Sequence, residues 1–286
     1  MLFFWFPHTN QETTQSVDGE GEDHANCGLT QLPYETLDKG FSSLKRTEST
    51  LLIGSSTSLK TSHSTSFIKQ IIKSKSEGAT LTADSSASFS VLVEYTLHLN
   101  SLAFVFGADQ RSTSFHSVSS CSLSIESCSF GSAATASTLN EALFNIVGSP
   151  TFKSSILTRI STSSSTGLLS LDLSGSHTLS IVSTSLVSCT ASSAPLVSLT
   201  LSSTTEQTDW DFDLSGLSFS LAPSNPVPSG ALIFVSRPSF ATQIVHSHFT
   251  SVDSSTDPEA FRGMTLQLKC HHRCLSIRSD CNRTRD

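Results

Sequence analysis

Acidic side chains are densest in the segment DWDFD, which places Asp209, Asp211 and Asp213 at every second position. In an extended strand this alternation sets the three carboxylates on one face, with Trp210 and Phe212 on the other. Several carboxylate oxygens on one face suit a hard cation such as Ca²⁺. Alternatively, Asp211 and Asp213 could act as general acid and base on a sugar stacked on Trp210. The competing interpretation is a row of outward acids that gives solubility, because no glycine turn or bidentate glutamate stands at calcium-loop spacing.

Thiol and imidazole side chains gather near the C-terminus, and this combination suits Zn²⁺. The residues are Cys270, His271, His272, Cys274 and Cys281. Strong zinc modules repeat a paired cysteine spacing, whereas this segment has one Cys-x3-Cys pair and a lone cysteine. An unstructured basic tail is therefore the alternative.

Four histidines stand at the polar positions of strand-like runs, where we expect exposed side chains. They are His98, His116, His246 and His248. His246 and His248 lie two residues apart, on one face of an extended strand, so they could bind a metal weakly. The alternative is that they are simply exposed. The chain has no GxSxG elbow, P-loop or dinucleotide fingerprint. We assign no catalytic residue, no cofactor and no metal ligand from the sequence.

Composition restricts the kinds of protein that could carry these residues. The chain has 286 residues, 14% of them charged, and a formal net charge of -7. The negative charge argues against sequence-independent nucleic-acid binding, which needs a basic face. The longest apolar run, Leu2 to Phe6, stops at Pro7, too short for a transmembrane segment and a poor signal peptide. Serine and threonine make up about a third of the chain, far above ordinary usage.

The N-terminal region changes character twice before the strand-like runs begin. Residues 1–26 are acidic and polar without an apolar period, which predicts a flexible leader. Residues 27–49 contain the one credible helix, near 34–46, because Leu37, Phe41 and Leu44 recur at helical spacing. Gly40 weakens this helix. We expect residues 27–49 to cap whatever fold follows.

The strongest signal is an internal repeat with the pattern apolar-x-apolar-x-x-apolar-x-apolar. Successive copies are separated by roughly 26 to 33 residues, a spacing typical of solenoids. The copies are Leu97–Phe104, Leu123–Phe130, Leu179–Leu186 and Phe212–Phe219, with weaker ones around Phe152–Leu157 and Ile244–Phe249. A second short strand precedes several of them, at Leu143–Val147, Leu168–Leu173, Leu196–Leu201 and Leu232–Val235.

The two consecutive x positions in the middle of this motif, its doubled spacer, interrupt the alternation of apolar and polar residues once. This interruption marks a corner between two strands. Each repeat is too small to close a core, so stacked repeats must bury a continuous apolar column. Serine and threonine fill the outward positions and corners, where their hydroxyls can satisfy backbone groups. An antiparallel sandwich is the alternative, but the hairpin dipeptide Asn-Gly is absent and the one Asp-Gly lies in the leader.

The cysteines can be placed on the same repeat. Cys128 takes the inward position held by Leu102 and Leu217, and Cys189 takes the position held by Val118 and Val252, so both are predicted to lie in the core. Cys121 is expected to face outward. A Cys121–Cys128 disulfide is conceivable, although seven cysteines imply no disulfide framework.

At this point the chain resembles the right-handed parallel β-helix (pectin-lyase-like) superfamily. The segment ATLTADSSASFSVLVEYTLHLNSLAFVF is similar to the successive rungs that open such domains. CGLTQLPYETLDKGFSSL resembles the entry to Ser/Thr-rich β-helix surface proteins of protists. The resemblance implies a non-enzymatic, extracellular or cell-surface protein. The Asn-x-Asp, Asp-Asp, Gly-His-Gly and Arg-x-Lys motifs of the superfamily's hydrolases do not occur here in that arrangement, and the scarce cations between 78 and 261 share no evident rung position.

The predicted fold is therefore all-β, a single right-handed parallel β-helix solenoid over residues 50–256 with a short N-terminal capping helix. Residues 257–286 are expected to form an irregular, basic, cysteine-containing tail. The expected function is adhesive or structural, with a glycan or cell-surface ligand as the partner. The alternative is a diverged polysaccharide lyase or hydrolase that uses Asp209, Asp211 and Asp213.

Overall fold

The structure is a computed structural model. It describes residues 13–220, together with 233–236, 242–248 and 267–269. Within the first range it leaves out residues 23, 25–26, 30, 32, 45–47, 60–62, 66–68, 77, 84–88, 108–112, 132–135, 174–177, 193, 195, 201–207 and 214–216.

The described secondary structure consists of short strands and one helix, α1 (Leu37–Ser43). The strands of the N-terminal half are β1 (Thr13–Val17), β2 (Glu48–Ile53), β3 (Ser56–Leu59), β4 (His63–Thr65), β5 (Lys69–Ser74), β6 (Ala79–Ala83), β7 (Phe89–Val93), β8 (Thr96–Asn100), β9 (Leu102–Val105), β10 (Thr113–His116), β11 (Cys121–Glu126), β12 (Ser129–Gly131) and β13 (Ser137–Leu139). Those of the C-terminal half are β14 (Phe144–Lys153), β15 (Ile156–Thr158), β16 (Ile160–Thr162), β17 (Leu169–Asp172), β18 (Thr178–Val182), β19 (Ser185–Val187), β20 (Thr190–Ala191), β21 (Val197–Thr200), β22 (Thr208–Asp213), β23 (Ser218–Ser220), β24 (Ile233–Ser236), β25 (Thr242–His248) and β26 (Gln267–Lys269).

The strands stack in parallel columns, each strand pairing with its equivalents in the turns before and after. Column A consists of β2, β5, β8, β11, the second half of β14, β18, β22 and β25. Column B consists of β3, β6, β9, β12, β15, β19 and β23. Column C consists of β4, β7, β10, the first half of β14, β17, β21, β24 and β26, and a short fourth stack holds β13, β16 and β20. The predicted all-β fold, a single parallel β-helix with one short helix, is confirmed.

The doubled spacer of the sequence motif is the corner between columns A and B. A serine with a left-handed backbone occupies this corner in four successive turns, with φ from 49° to 55°, at Ser101, Ser127, Ser154 and Ser183. The corners also stack, because the N–H groups of Ser101, Ser127 and Ser154 each donate to a carbonyl of the next turn, as from Ser127 to Lys153 at 2.9 Å. A left-handed residue costs roughly 1–2 kcal/mol outside glycine, and this ladder offsets that cost.

Two buried hydroxyls form hydrogen bonds with backbone groups at the corner between columns A and B. The Ser155 hydroxyl accepts from the Cys128 N–H at 3.2 Å and donates to the Lys153 carbonyl at 2.9 Å. In the next turn the Thr184 hydroxyl donates to the Val182 carbonyl at 3.1 Å. Serine and threonine therefore stand at inward positions where a leucine would leave corner groups without these partners.

Aromatic rings fill the middle of the core. Phe104 and Phe130, one turn apart in column B, stack with their centroids 4.8 Å apart. Phe115 and Phe144 stack at 5.1 Å in column C, and Phe130 meets Phe144 edge to face at 5.1 Å. All four rings are buried. The core is thus continuous from turn to turn, as a solenoid requires.

The N-terminal end of the core is covered by α1 and β1 together. Thr36 is the N-cap of the helix, and its hydroxyl accepts from the Lys39 N–H at 3.2 Å. The apolar face of the helix joins the core at Leu37, Phe41 and Leu44, as its spacing predicted. The helix itself is shorter than the 34–46 expected, and it packs on β1 and β3.

Two segments expected to lack regular structure contain strands. Within residues 1–26, predicted as a flexible leader, β1 pairs with β2 and buries Val17 completely. On the other edge of β1, the backbone of Ser16 forms hydrogen bonds with the backbone of Gly28 and Tyr34. This edge is therefore not an open strand edge there. Within residues 257–286, predicted as an irregular tail, β26 pairs with β24. Both strands are too short to show an apolar period of their own, and pairing with a neighbouring turn defines them.

Candidate functional site

The outward face of column A carries rows of hydroxyl side chains across several turns. One row consists of Thr96, Ser122 and Ser149, and a second, two residues further along each strand, consists of Ser124, Thr151 and Ser180. We call these six residues the hydroxyl face. All six are half-buried or exposed, while the residues that alternate with them are buried. Strand spacing puts neighbours about 4.8 Å apart along a row and the rows about 6.6 Å apart.

The other columns carry less regular outward rows within the described residues, although the fourth stack has one hydroxyl row of its own, formed by Thr138, Ser161 and Thr190. The outward row of column B mixes serine with Ala103 and the exposed Ile156. The outward row of column C contains His116 and Asn145 before it reaches Ser170. Among the described residues, column A is therefore the column on which two hydroxyl rows of three residues each run side by side, whereas the fourth stack carries a single row. Such a surface can donate and accept hydrogen bonds without charge.

A short row of stronger polar groups borders this face at the corner with column B. Asn100, Glu126 and Lys153 occupy the residue before the corner serine in three successive turns. The Lys153 ammonium lies 3.4 Å from the Glu126 carboxylate, which also accepts from the Asn100 amide at 3.4 Å. Both charged side chains are about half exposed, so this ion pair contributes little to stability. Sequence reasoning missed the row, although each member directly precedes a corner serine of the repeat.

Asp209, Asp211 and Asp213 lie in β22, at the C-terminal continuation of column A. The register pairs Asp211 with Thr178 and Asp213 with Ser180, and the Asp213 side chain is exposed. The exposed Asp213 thus has the outward orientation that the alternation predicted for it. The next strand, β25, sets His246 opposite Asp211 and His248 opposite Asp213. The structure therefore brings together two groups that the sequence analysis treated separately.

His98 and His116 are half-buried rather than exposed as expected. Burial, and then the positive charge of Lys69, lowers the pKa of His98 below its ordinary value. His98 stands in the row that continues as Ser124, so it is a largely neutral neighbour of the hydroxyl face near neutral pH.

The cysteines inside the solenoid are packing residues. Burial raises the pKa of Cys128 to about 11 and that of Cys189 to about 12, which keeps both thiols protonated. Their predicted place in the core is confirmed. The prediction that Cys121 faces outward was wrong, because its side chain is buried at the start of β11, where its thiol is free. The equivalence of Cys189 with Val118 was also wrong: Val118 is 78% exposed after β10.

The remaining sequence candidates fall outside the sites described above. Cys270, His271, His272, Cys274 and Cys281 lie beyond the described residues. Lys153 and Arg159 are two of the basic residues between 78 and 261. Lys153 directly precedes the corner at Ser154, and Arg159 lies at a different corner, so they share no rung position, as expected. Among the described side chains, no group of three or more His, Cys, Asp or Glu residues could hold a metal ion.

A groove of about 310 Å³ lies beside the N-terminal cap. Its lining includes Glu35 and the hydroxyl residues Thr36, Ser56, Ser58 and Thr82. Small-molecule pockets are mostly apolar with a few polar groups. This polar groove lacks that character and extends the hydroxyl-rich surface of the solenoid.

Comparison of the chain with protein-family models, with curated proteins and with solved structures finds no match. Within the described residues, no helix combines the length and the apolar character that a membrane crossing requires.

Proposed function

We propose that this chain is a non-enzymatic surface or secreted protein of the Ser/Thr-rich, pectin-lyase-like β-helix type. In this proposal it contacts a glycan or another cell surface through the hydroxyl face. The observation that carries the proposal is the pair of unbroken hydroxyl rows on column A. An extended polymer with many hydroxyl groups can meet such rows at several turns at once, because the rows repeat with the strand spacing.

The chemistry of the hydroxyl face indicates the class of ligand. The six residues carry no charge. At the edge of the hydroxyl face, Glu126 and Lys153 form an ion pair with each other. A neutral polysaccharide therefore suits the face better than a polyuronate, whose carboxylates need cations to hold them. Contacts of this kind are weak per site and gain strength by repetition along the ligand.

The test is retention of the full chain on immobilised neutral and acidic polysaccharides. We expect retention on a neutral polysaccharide that changes little when salt is raised about tenfold, because no charge is involved. Ser124→Arg combined with Thr151→Arg should weaken retention by at least about tenfold, equivalent to roughly 1.4 kcal/mol. The matched control is Asn145→Arg with Ser170→Arg, which places the same charges on the outward row of column C.

Three outcomes would overturn the proposal. Equal retention of both double variants would remove the hydroxyl face from the interaction. Release of reducing ends or unsaturated sugars from any polysaccharide, lost in Asp211→Asn, would identify a lyase or hydrolase instead. Absence of any retention would favour a structural spacer. The proposed extracellular or cell-surface location is tested separately, by labelling intact and permeabilised cells with an antibody to the chain.

A further inference from the structure

Two exposed apolar side chains lie at one corner of the solenoid, between columns C and A. Tyr95 is 55% exposed and lies between β7 and β8, and Val118 is 78% exposed and lies between β10 and β11 in the next turn. Because β7 pairs with β10 and β8 pairs with β11, both residues belong to the same corner. We call them the apolar pair. Within the part of the chain that the structure describes, the other large exposed apolar side chains are Leu29 and Ile156, which lie in the N-terminal cap and on column B.

The apolar pair borders the first row of the hydroxyl face. Tyr95 directly precedes Thr96, the first member of that row. The Tyr95 carbonyl accepts from the Ser122 N–H at 2.7 Å, which holds the Tyr95 backbone beside the row. Val118 precedes Ser122 in the same turn. A ligand that reaches the hydroxyls of Thr96 and Ser122 therefore also lies next to an apolar surface.

The core does not use the Tyr95 ring. Strand alternation would direct the residue before Thr96 inward, because Thr96 itself lies on the outward row. The equivalent residue of the next turn, Cys121, is buried. Tyr95 is exposed instead, because a bend directly before β8 interrupts the strand. Exposed apolar side chains that cluster, rather than stand singly, mark a contact site more often than a packing role.

An aromatic ring beside uncharged hydroxyls suits a pyranose sugar. When the sugar hydroxyls are equatorial, the axial C–H groups form an apolar face that packs on the electron-rich face of an aromatic ring. The equatorial hydroxyls at the edge of the sugar then form hydrogen bonds with serine and threonine. All ring hydroxyls of β-linked glucose are equatorial, and its linkage keeps the chain extended. Such a chain can follow a straight row from turn to turn, whereas an α-linked chain coils away from it.

The charges around the apolar pair favour a neutral ligand. Glu94 directly precedes Tyr95 and is half-buried. In the preceding turns of column A, Lys69 is in register with Glu48. These three residues together carry a net negative charge, which disfavours the carboxylates of an acidic polysaccharide.

We infer that the apolar pair is the sugar-stacking subsite of the hydroxyl face. Tyr95 and Val118 hold one ring of an extended, β-linked glucan while the hydroxyls of that ligand meet Thr96 and Ser122. This inference rests on the proposed function, because it names the ligand class for the same face.

The experiment is calorimetric titration of the full chain with cellohexaose, a soluble β-linked glucose oligomer, and with maltohexaose, its α-linked counterpart. We expect cellohexaose to bind more tightly. Tyr95→Ala should weaken its binding by about fivefold to tenfold, the size of a typical aromatic contact. Tyr95→Phe should bind within about twofold of the wild type, because the ring rather than its hydroxyl makes the contact. Cellohexaose should also perturb the near-ultraviolet absorption of tyrosine in the wild type but not in Tyr95→Ala.

Ile156→Ala is the matched control, since it removes an exposed apolar side chain from column B and should leave binding unchanged. Circular dichroism and thermal unfolding show that each variant is folded. This inference alone is overturned if Tyr95→Ala binds cellohexaose like the wild type while Ser124→Arg with Thr151→Arg loses binding. It is also overturned alone if the wild type binds neither oligomer but is retained on a different polysaccharide. Retention on no polysaccharide overturns both this inference and the proposed function.

Discussion

The hydroxyl face and the C-terminal strands β22 and β25 are two regions of one column that carry different residue types. The rows that contain leucine stay apolar in register across both: Leu123 pairs with Leu97, and Phe212 pairs with Leu179. The rows between them change from serine and threonine to aspartate and histidine. In a solenoid the interior defines the turn, so the remaining positions can change residue type while the column continues. The difference shows that register within the column does not determine which polar residues a turn carries.

The interior that both regions share should be the most sensitive part of the molecule. Phe130→Ala removes a ring that stacks on Phe104 and meets Phe144 edge to face. We expect a loss of about 3–5 kcal/mol in the free energy of unfolding, because a large buried cavity remains. Ser129→Ala, the outward neighbour, should change it by less than about 0.5 kcal/mol. Denaturant unfolding followed by circular dichroism compares the two, and similar losses would refute the distinction between inward and outward rows.

The buried thiols should make this interior sensitive to alkaline pH. Burial raises the folded-state pKa of Cys128 to about 11 and of Cys189 to about 12, above the ordinary value of 9.0. The folded state then holds these protons more tightly than the unfolded chain, so their contribution is fully present below pH 9 and is lost as pH rises through the folded-state values. Each thiol should lower the free energy of unfolding by up to about 1.4 kcal/mol per pH unit in that window. Unfolding curves from pH 7 to the alkaline limit measure this slope.

Cys128→Ala with Cys189→Ala is the control for the alkaline effect. The variant is less stable at neutral pH because it loses packing, but its decline above pH 9 should be shallower than that of the wild type. Parallel curves for the two proteins would show that other groups cause the decline.

The corner between columns A and B should lose stability when the Ser155 hydroxyl is removed. Ser155→Ala leaves the Cys128 N–H without this acceptor and the Lys153 carbonyl without this donor. We expect a loss of about 1–3 kcal/mol, the usual cost of an unsatisfied buried group. Ser154→Ala, at the exposed neighbouring position, should cost less, since the Ser154 backbone N–H still donates to Val182. Equal costs, measured by thermal unfolding, would assign the effect to the backbone of the corner instead.

Local periodicity determined the fold and much of the interior. The pattern that Leu97, Leu99, Leu102 and Phe104 share with the later copies predicted the strands, the corner and the inward rows, because alternation within a strand depends only on neighbouring residues. The spacing of Leu37, Phe41 and Leu44 predicted the buried face of α1 for the same reason.

Tertiary structure decided what lies beside each strand. Neighbouring strands of a column are separated by a whole turn of chain, so their register depends on loop lengths and bulges that no local pattern contains. For that reason the sequence left β1 in a flexible leader and placed Cys121 outward. It also treated the acids of DWDFD and the histidines of β25 as unrelated. The bulge at Val245 is what sets Asp211 opposite His246 and Asp213 opposite His248.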